Sequence, residues 1–439
     1  MTTPPTQTLA DRDQRPERCG CEDERRAVRR LTRRGFLGRS AALGGSTAVA
    51  SLLGPGSATQ LAFAGPEYTG DTVVVLSLRG GFDGLSAVAP VGDPGYAAAR
   101  PSIAVPTARA LRLDEMFGLH PALAPLHRLY TAGTLAVVQA VGQQNRTRSH
   151  FSAMQEMENA APGSQLRTGW IDRMVGVSGA TSTFSAVAVG SGGAPASMLG
   201  PSPELVMADL TAFNLSAPKA PGEQDRWVKA LTALHATAPA AVKNPAMATL
   251  AASATAAQLG AYTPAPGVVY PDTELGSSLR EVARLVKGGV GLRAATVDVG
   301  DWDMHAGLGT SDRGWMFDQL TKLGLALAAF VADLGERMAD VTLVTLSEFG
   351  RRVAENGSGG LDHGHGNACF VLGGGVVGGR VYGRWPGLGA DQLDDGDLAG
   401  TTDYRTILAE ILEKRGKLST NTVFPDLAAD RLGLVRQRA

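Results

Sequence analysis

The chain has 439 residues, 44% of them hydrophobic and 19% charged, with 41 Lys and Arg against 42 Asp and Glu. That balance excludes wholesale disorder and a polytopic membrane protein. Residues 1–64 carry 10 basic and 6 acidic side chains and the remainder 31 and 36, so the body has no basic footprint for nucleic acid.

At the amino end, Thr32-Arg33-Arg34-Gly35-Phe36-Leu37 forms a twin-arginine pattern, and no charge follows from Ser40 through Pro66. Ala62-Phe63-Ala64 supplies a small-x-small cleavage site before Gly65. Gly44, Gly45, Gly54, Pro55 and Gly56 make the uncharged run weakly apolar and a poor helix, which argues against a retained membrane span. Residues 1–64 therefore read as a cleaved twin-arginine signal, with a disordered leader extension over Met1 to Leu31. The implied partner is the twin-arginine translocase, and the implied destination is extracellular or the cell envelope. That route carries folded proteins, often after a metal is loaded in the cytoplasm. Cys19 and Cys21 leave with the signal, so Cys369 is the one mature cysteine and no intramolecular disulfide is expected.

The mature chain, residues 65–439, reads as a single α/β domain. Asp71–Leu78 is a nearly continuous apolar run, as expected of a strand buried on both faces. It ends in the glycine-rich Arg79-Gly80-Gly81-Phe82-Asp83-Gly84. Further strands are expected at Thr134–Ala140, Phe184–Val189, Ala294–Val299, Val341–Leu346 and Ala368–Leu372. Helical periodicity separates them at His120–Tyr130, Phe151–Ala160, Trp170–Val175, Asp225–Leu234, Leu275–Val286 and Arg313–Glu336. This alternation predicts a mostly parallel central sheet with helices on both faces. The Ala-, Thr- and Pro-rich stretch from about 202 to 271 shows no strong strand and reads as a helical insertion. Thr401-Thr402-Asp403 reads as the N-cap of a last helix, YRTILAEILEKR.

In a parallel α/β sheet ligands sit beyond the carboxyl ends of the strands, and the polar clusters of this chain fall there. Asp83 follows the first strand, as a loop cap or a cation ligand. Arg146-Thr147-Arg148-Ser149-His150 follows the second and leads into a helix. There Ser149 is either a cap or a hydroxyl nucleophile whose target is cradled by the helix end and by Arg148 or Arg146. His150 is a ligand or a proton-transfer group. Asp301-Trp302-Asp303-Met304-His305 follows the strand AATVDV, and its mixed oxygen and nitrogen donors suit a divalent ion. Glu348, after VTLVTL, is aimed at the same crevice. Asp362-His363-Gly364-His365 packs three potential ligands into four residues and is the strongest ligand signal in the chain. Of seven histidines, four lie in these loops; His120, His127 and His235 lie on or beside amphipathic helices and read as packing or surface residues. The motifs of zinc proteases, P-loop enzymes and ordinary α/β-hydrolases are absent.

Taken in order, the twin-arginine leader, LRGGFDGLSAVAP, RTRSHF, GWIDRM, DWDMH, LSEFGRR, GLDHGHGN, GGRVYGRWPGL and TTDYR resemble the domain of unknown function 1501 family, over essentially the whole mature chain. That family is usually placed near the alkaline-phosphatase and sulfatase superfamily. The resemblance implies an alkaline-phosphatase-like fold and a metal-dependent hydrolase of phosphate or sulfate esters, small molecules or cell-surface material. Asp83 then resembles the first-strand metal ligand, Ser149 the nucleophile and Asp303 with His305 a later ligand pair. His363, with Asp362 or His365 beside it, resembles the last ligand. Asp301 competes with Asp303 for the carboxylate role. Where many superfamily members carry an Asp-His pair, this chain has Glu348-Phe349, and phenylalanine cannot ligate; His150 or His365 is the available substitute. One or two divalent ions, zinc, manganese or calcium, would activate Ser149, and Arg148 or Arg351 would steady the departing oxyanion.

Two rivals remain at this level. One is a secreted, non-catalytic binding or scaffold protein that keeps the fold and a single structural ion at Asp362, His363 and His365. The other is an exported metal-dependent oxidoreductase.

Overall fold

The computed structural model describes residues 70–180, 182–202, 204–210, 221–428 and 430–438. The expected signal, residues 1–64, lies outside the described residues. Among the described residues nine strands form the central sheet: β1 (Thr72–Leu78), β2 (Leu135–Gly142), β3 (Ala186–Val189), β4 (Leu205–Met207), β5 (Ala294–Val299), β6 (Val341–Leu346), β7 (Asn367–Gly373), β8 (Val381–Tyr382) and β9 (Thr402–Asp403). Their order is β8-β2-β7-β6-β1-β5-β3-β4, with β9 pairing beside β2. Every pairing is parallel except the two made by β7, which runs antiparallel to both β2 and β6.

That reversal has a local cause. β6 and β7 are joined by a loop that contains no crossover helix, and neighbouring strands joined that way run antiparallel. The consequence is positional. The whole connection, residues 347–366, stays at the carboxyl end of β6, where the other polar loops also lie.

β1 is buried at every position, as its continuous apolar run requires. Val74, Leu76 and Leu78 face one core with the helices α1 (Ala124–Thr131), α6 (Glu274–Gly288) and α7 (Trp315–Leu334), whereas Val73 and Val75 face a second core. That second core holds α2 (His150–Asn159), α3 (Trp170–Val177) and α8 (Tyr404–Lys414). The sheet is therefore mostly parallel and covered on both faces. Capping fixes the helix ends: Thr273 accepts from the Gly276 N–H to open α6, and Gly289, at φ 64°, closes it. Asp403 opens α8 by accepting from the Arg405 N–H, as expected.

One expectation needs correction and a second is refined. The helix expected from His120 begins as a short 3-10 turn over Pro121–Leu123, because His120 accepts from the Ala122 N–H and proline fixes the first turn; the α-helix starts at Ala124. The stretch expected to be helical with no strong strand carries the helices α4 (Glu223–Ala236) and α5 (Ala240–Leu259), together with the three-residue β4, which adds an edge to the sheet. Three residues give too little periodicity to read as a strand.

Candidate metal centre

The loop after β1 is shaped by glycine. Gly80 has φ 114° and a Cβ there would lie 2.8 Å from the Asp303 backbone nitrogen; at Gly81, φ 66°, it would meet the Phe349 ring at 2.6 Å. This close approach brings the ends of β1, β5 and β6 together. Gly80 N–H donates to Glu348 Oε1 at 2.8 Å, and Phe82 N–H donates to Ser347 Oγ at 2.9 Å.

Three imidazoles and one carboxylate converge beside this loop. His363 Nε2 lies 3.0 Å from His150 Nε2 and 2.9 Å from His305 Nε2. Asp303 Oδ1 lies 3.0 Å from His305 Nε2, 3.2 Å from His363 Nε2 and 3.6 Å from His150 Nε2. The donor atoms of His150, Asp303 and His363 all lie within 4.8 Å of one another, and His305 flanks them. His150 opens α2, Asp303 and His305 follow β5, and His363 sits in the β6–β7 loop.

The opposite nitrogen of each ring is anchored. His150 Nδ1 is 2.7 Å from Glu348 Oε1, His305 Nδ1 is 3.3 Å from Asp362 Oδ1 and His363 Nδ1 is 2.9 Å from the Arg148 carbonyl oxygen. An acceptor at Nδ1 assigns the proton to that nitrogen and leaves Nε2 to turn its lone pair inward. A divalent ion bonds imidazole nitrogen and carboxylate oxygen at about 2.0–2.2 Å, so donors sharing one ion sit roughly 3–4 Å apart. The present separations fit that requirement, and the mixed nitrogen and oxygen set fits its chemistry.

The electrostatics also favour a cation. Burial opposes it, yet the Asp303 and Glu348 carboxylates raise the His150 imidazolium to about 9, so an ion at this point takes the place of the Nε2 proton. For Asp303 burial works the other way, but the three imidazoles and Arg351 hold the carboxyl far below the ordinary range. Glu348 is likewise kept low despite its burial, by His150 and by backbone N–H groups. Phe349, which cannot ligate, packs its ring 4.8 Å from His150 and 4.9 Å from His363.

Several expected site residues lie elsewhere. Asp83 is not in the cluster: it is 3% exposed and both its oxygens accept from Arg100, at 2.6 and 2.9 Å, in a fully buried pair. A carboxylate saturated by a guanidinium is not available to a metal. Glu348 orients His150 instead of facing the centre, with Oε2 accepting from Ser347 Oγ at 3.1 Å. Asp362 is exposed and orients His305 while accepting from Asn356 at 3.1 Å. His365 is buried on the far side, its Nε2 2.9 Å from the Gln143 carbonyl, beside a cavity of about 20 Å³ that Glu348 also lines. Asp301 is exposed and takes a left-handed φ of 67°, so of the two carboxylates Asp303 is the one in the cluster.

The arginines are committed as well. Arg148 donates to Asp397 at 2.8 Å and to Asp395 at 3.1 Å, and Arg146 pairs with Asp394. Arg351 is buried among backbone carbonyls and Asp303. Arg351 presents no free guanidinium edge, whereas Arg148 is held through Nε and Nη2 and keeps Nη1 at the surface. Ser149 is exposed and stands at the N-cap of α2, but its hydroxyl makes no capping bond. Its chain neighbours both touch the cluster, through the Arg148 carbonyl and the His150 ring. A cleft of about 200 Å³ with a mixed lining that includes Val189, Ser191, Val206, Glu274, Thr296 and Asp298 opens beyond β3 and β5.

Sequence reasoning assembled the four converging residues but missed who holds them. The Arg100 that neutralises Asp83 lies in a segment with no motif, and the carbonyl of Arg148 carries no side-chain signal at all.

A family model described as "Protein of unknown function (DUF1501)" matches residues 71–431. No curated protein matches the chain. Among solved structures it is similar to Ps i-CgsB bound to k-i-k-neocarrahexaose, at 11% identity and a TM-score of 0.34, covering 80% of this chain and 74% of that one. Ps i-CgsB alone gives 11% identity and a TM-score of 0.36 over 81% and 74% of the two chains. The PsFucS1 sulfatase from Pseudoalteromonas sp. gives 13% and 0.32 over 84% and 74%. Likenesses this distant do not bear on activity.

Proposed function

The chain belongs to that family of proteins of unknown function, and from this premise we propose that it is an exported, metal-dependent hydrolase of phosphate or sulfate esters. One observation carries the reading: His150, His363 and Asp303 converge with His305 beside them, and every ring is anchored through Nδ1. Structural packing alone does not require three imidazole nitrogens to point at one carboxylate oxygen.

His150, His363 and Asp303 would hold the ion, an imidazole-rich set that suits zinc better than manganese or calcium. When bound, a divalent ion polarises the ester and offsets the charge that develops on it. The chain's own residues do the rest. Ser149, exposed and free of capping duty, attacks phosphorus or sulfur with its Oγ. The bond to the ester alcohol breaks, and water later releases the anion from serine. The N–H groups opening α2 and the positive end of that helix favour the transferred anion. His305, outside the three-donor set and held by Asp362, moves the proton between Ser149 and the departing alcohol. The mixed-lined cleft beyond β3 and β5 would receive the alcohol part of the ester. The leader over residues 1–64 would carry the folded protein through the twin-arginine translocase; no helix among the described residues is long and apolar enough to cross a membrane.

A second reading, a secreted binding protein that keeps one structural ion, is favoured by one observation. Arg351 is bound wholly to protein groups and Arg148 is gripped by Asp395 and Asp397 through Nε and Nη2, so neither guanidinium is free to clamp an oxyanion with two N–H groups.

The test is a screen of the folded, exported protein, never exposed to chelator, against aryl phosphates and aryl sulfates. Turnover that disappears in Ser149→Ala and His363→Ala is the expected result. Full turnover in both variants, folded normally, sinks the proposal. Bound metal without turnover on either class leaves the binding reading.

A further inference from the structure

We infer that the Arg351 guanidinium is the centre's built-in second cation, and that it limits the site to one divalent ion. The inference rests on the metal reading above. Arg351 is 2% exposed, and most of the groups it donates to are oxygens. Nε donates to Gly81 O at 2.7 Å, and Nη1 to Leu361 O at 2.9 Å. Nη2 donates to Trp302 O at 3.1 Å, to Asp303 Oδ1 at 2.6 Å and to Gly80 O. Four backbone carbonyls and a carboxylate, drawn from the loops after β1, β5 and β6, make the kind of donor set that otherwise holds a hard cation such as calcium.

The same residue faces the imidazoles. Arg351 Nη1 lies 3.4 Å from His305 Nε2, and the Asp303 oxygen that Nη2 grips is the one the three imidazoles share. An ion on the imidazole side therefore shares Asp303 with a fixed positive charge. A second ion near His305 would have to sit against that charge. The sequence carries five candidate carboxylates and four histidines in these loops, enough for two ions on paper. The tertiary structure gives one of the two positions to a side chain.

The experiment counts metal in the folded protein by elemental analysis and follows melting temperature during a calcium titration, for the wild type, Arg351→Ala and Arg351→Lys. The expected result is one divalent ion per chain in the wild type and in Arg351→Lys, with no response to calcium. Arg351→Ala, its oxygen cage vacated, should rise to two ions per chain and melt higher as millimolar calcium is added. Two ions in the wild type overturn the inference and leave the metal centre standing, whereas no ion overturns both. A folded Arg351→Ala that stays at one ion and ignores calcium also overturns it. If that variant folds under neither condition, the wild-type count decides: one ion upholds the inference and two overturn it.

Discussion

His150 Nε2 and His363 Nε2 lie 3.0 Å apart although 213 residues separate them in the chain. Each reaches that point for a different reason. His150 is the first residue of a helix that follows β2, and His363 sits in the loop that turns β6 back into β7. Because β7 runs antiparallel between β2 and β6, the loop and the helix end share one edge of the sheet. The centre is thus a product of strand order.

Glu348→Gln should weaken metal binding by about 10- to 100-fold, the usual cost of losing the carboxylate behind a ligating histidine. Glu348 touches the centre only through His150 Nδ1, so the variant keeps all the converging donors. Competition with a chelator of known affinity measures the change. An affinity unchanged from wild type would show that His150 needs no orienting carboxylate.

Asp83→Asn should leave metal content unchanged and destabilise the fold by about 3–5 kcal/mol, because it strands the buried Arg100 charge. Urea unfolding reads the stability, and elemental analysis reads the metal. Loss of metal from a folded Asp83→Asn protein would return Asp83 to the ligand set.

Ser149→Ala should alter the melting temperature very little, since the hydroxyl makes no cap bond to α2. A capping serine would cost about 1 kcal/mol on removal. The contrast separates the two roles the sequence left open: stability falls if Ser149 caps, and turnover falls if it attacks.

His120 predicts a loss of stability on mild acidification. Burial lowers its imidazole from 6.5 to about 4, with Asp83 opposing the shift. The unfolded chain therefore takes up a proton below pH 6.5 that the folded chain refuses until about 4. Stability contributed by the neutral ring is complete above 6.5 and declines as pH falls between these limits, by up to about 3 kcal/mol. His120→Asn, which keeps an acceptor for the Ala122 N–H, should flatten that part of a melting-temperature profile between pH 4 and 7. An unaltered slope would assign the effect to another group.

Much of this protein follows from local sequence. Strands Ala294–Val299 and Val341–Leu346 occur where their apolar runs place them, and the Asp403 cap stands where its helix begins. Burial on both faces demands continuous apolar runs, and such runs are visible one segment at a time. The polar loops were legible for the same reason, since Ser149, His150, Asp303, His305 and His363 each follow a recognisable strand. What the sequence did not contain was the partner of each group. Asp83 and Asp303 both look like ligands, yet Arg100 neutralises the first in a fully buried pair and three imidazoles surround the second. Glu348, Asp362 and the Arg148 carbonyl hold the rings from behind, and Arg351 fills an oxygen cage built by three loops. Whether a charged side chain ligates, orients or neutralises depends on what lies within about 3–4 Å of it. Those neighbours come from strands whose order is set by packing, so only the tertiary structure decided the roles.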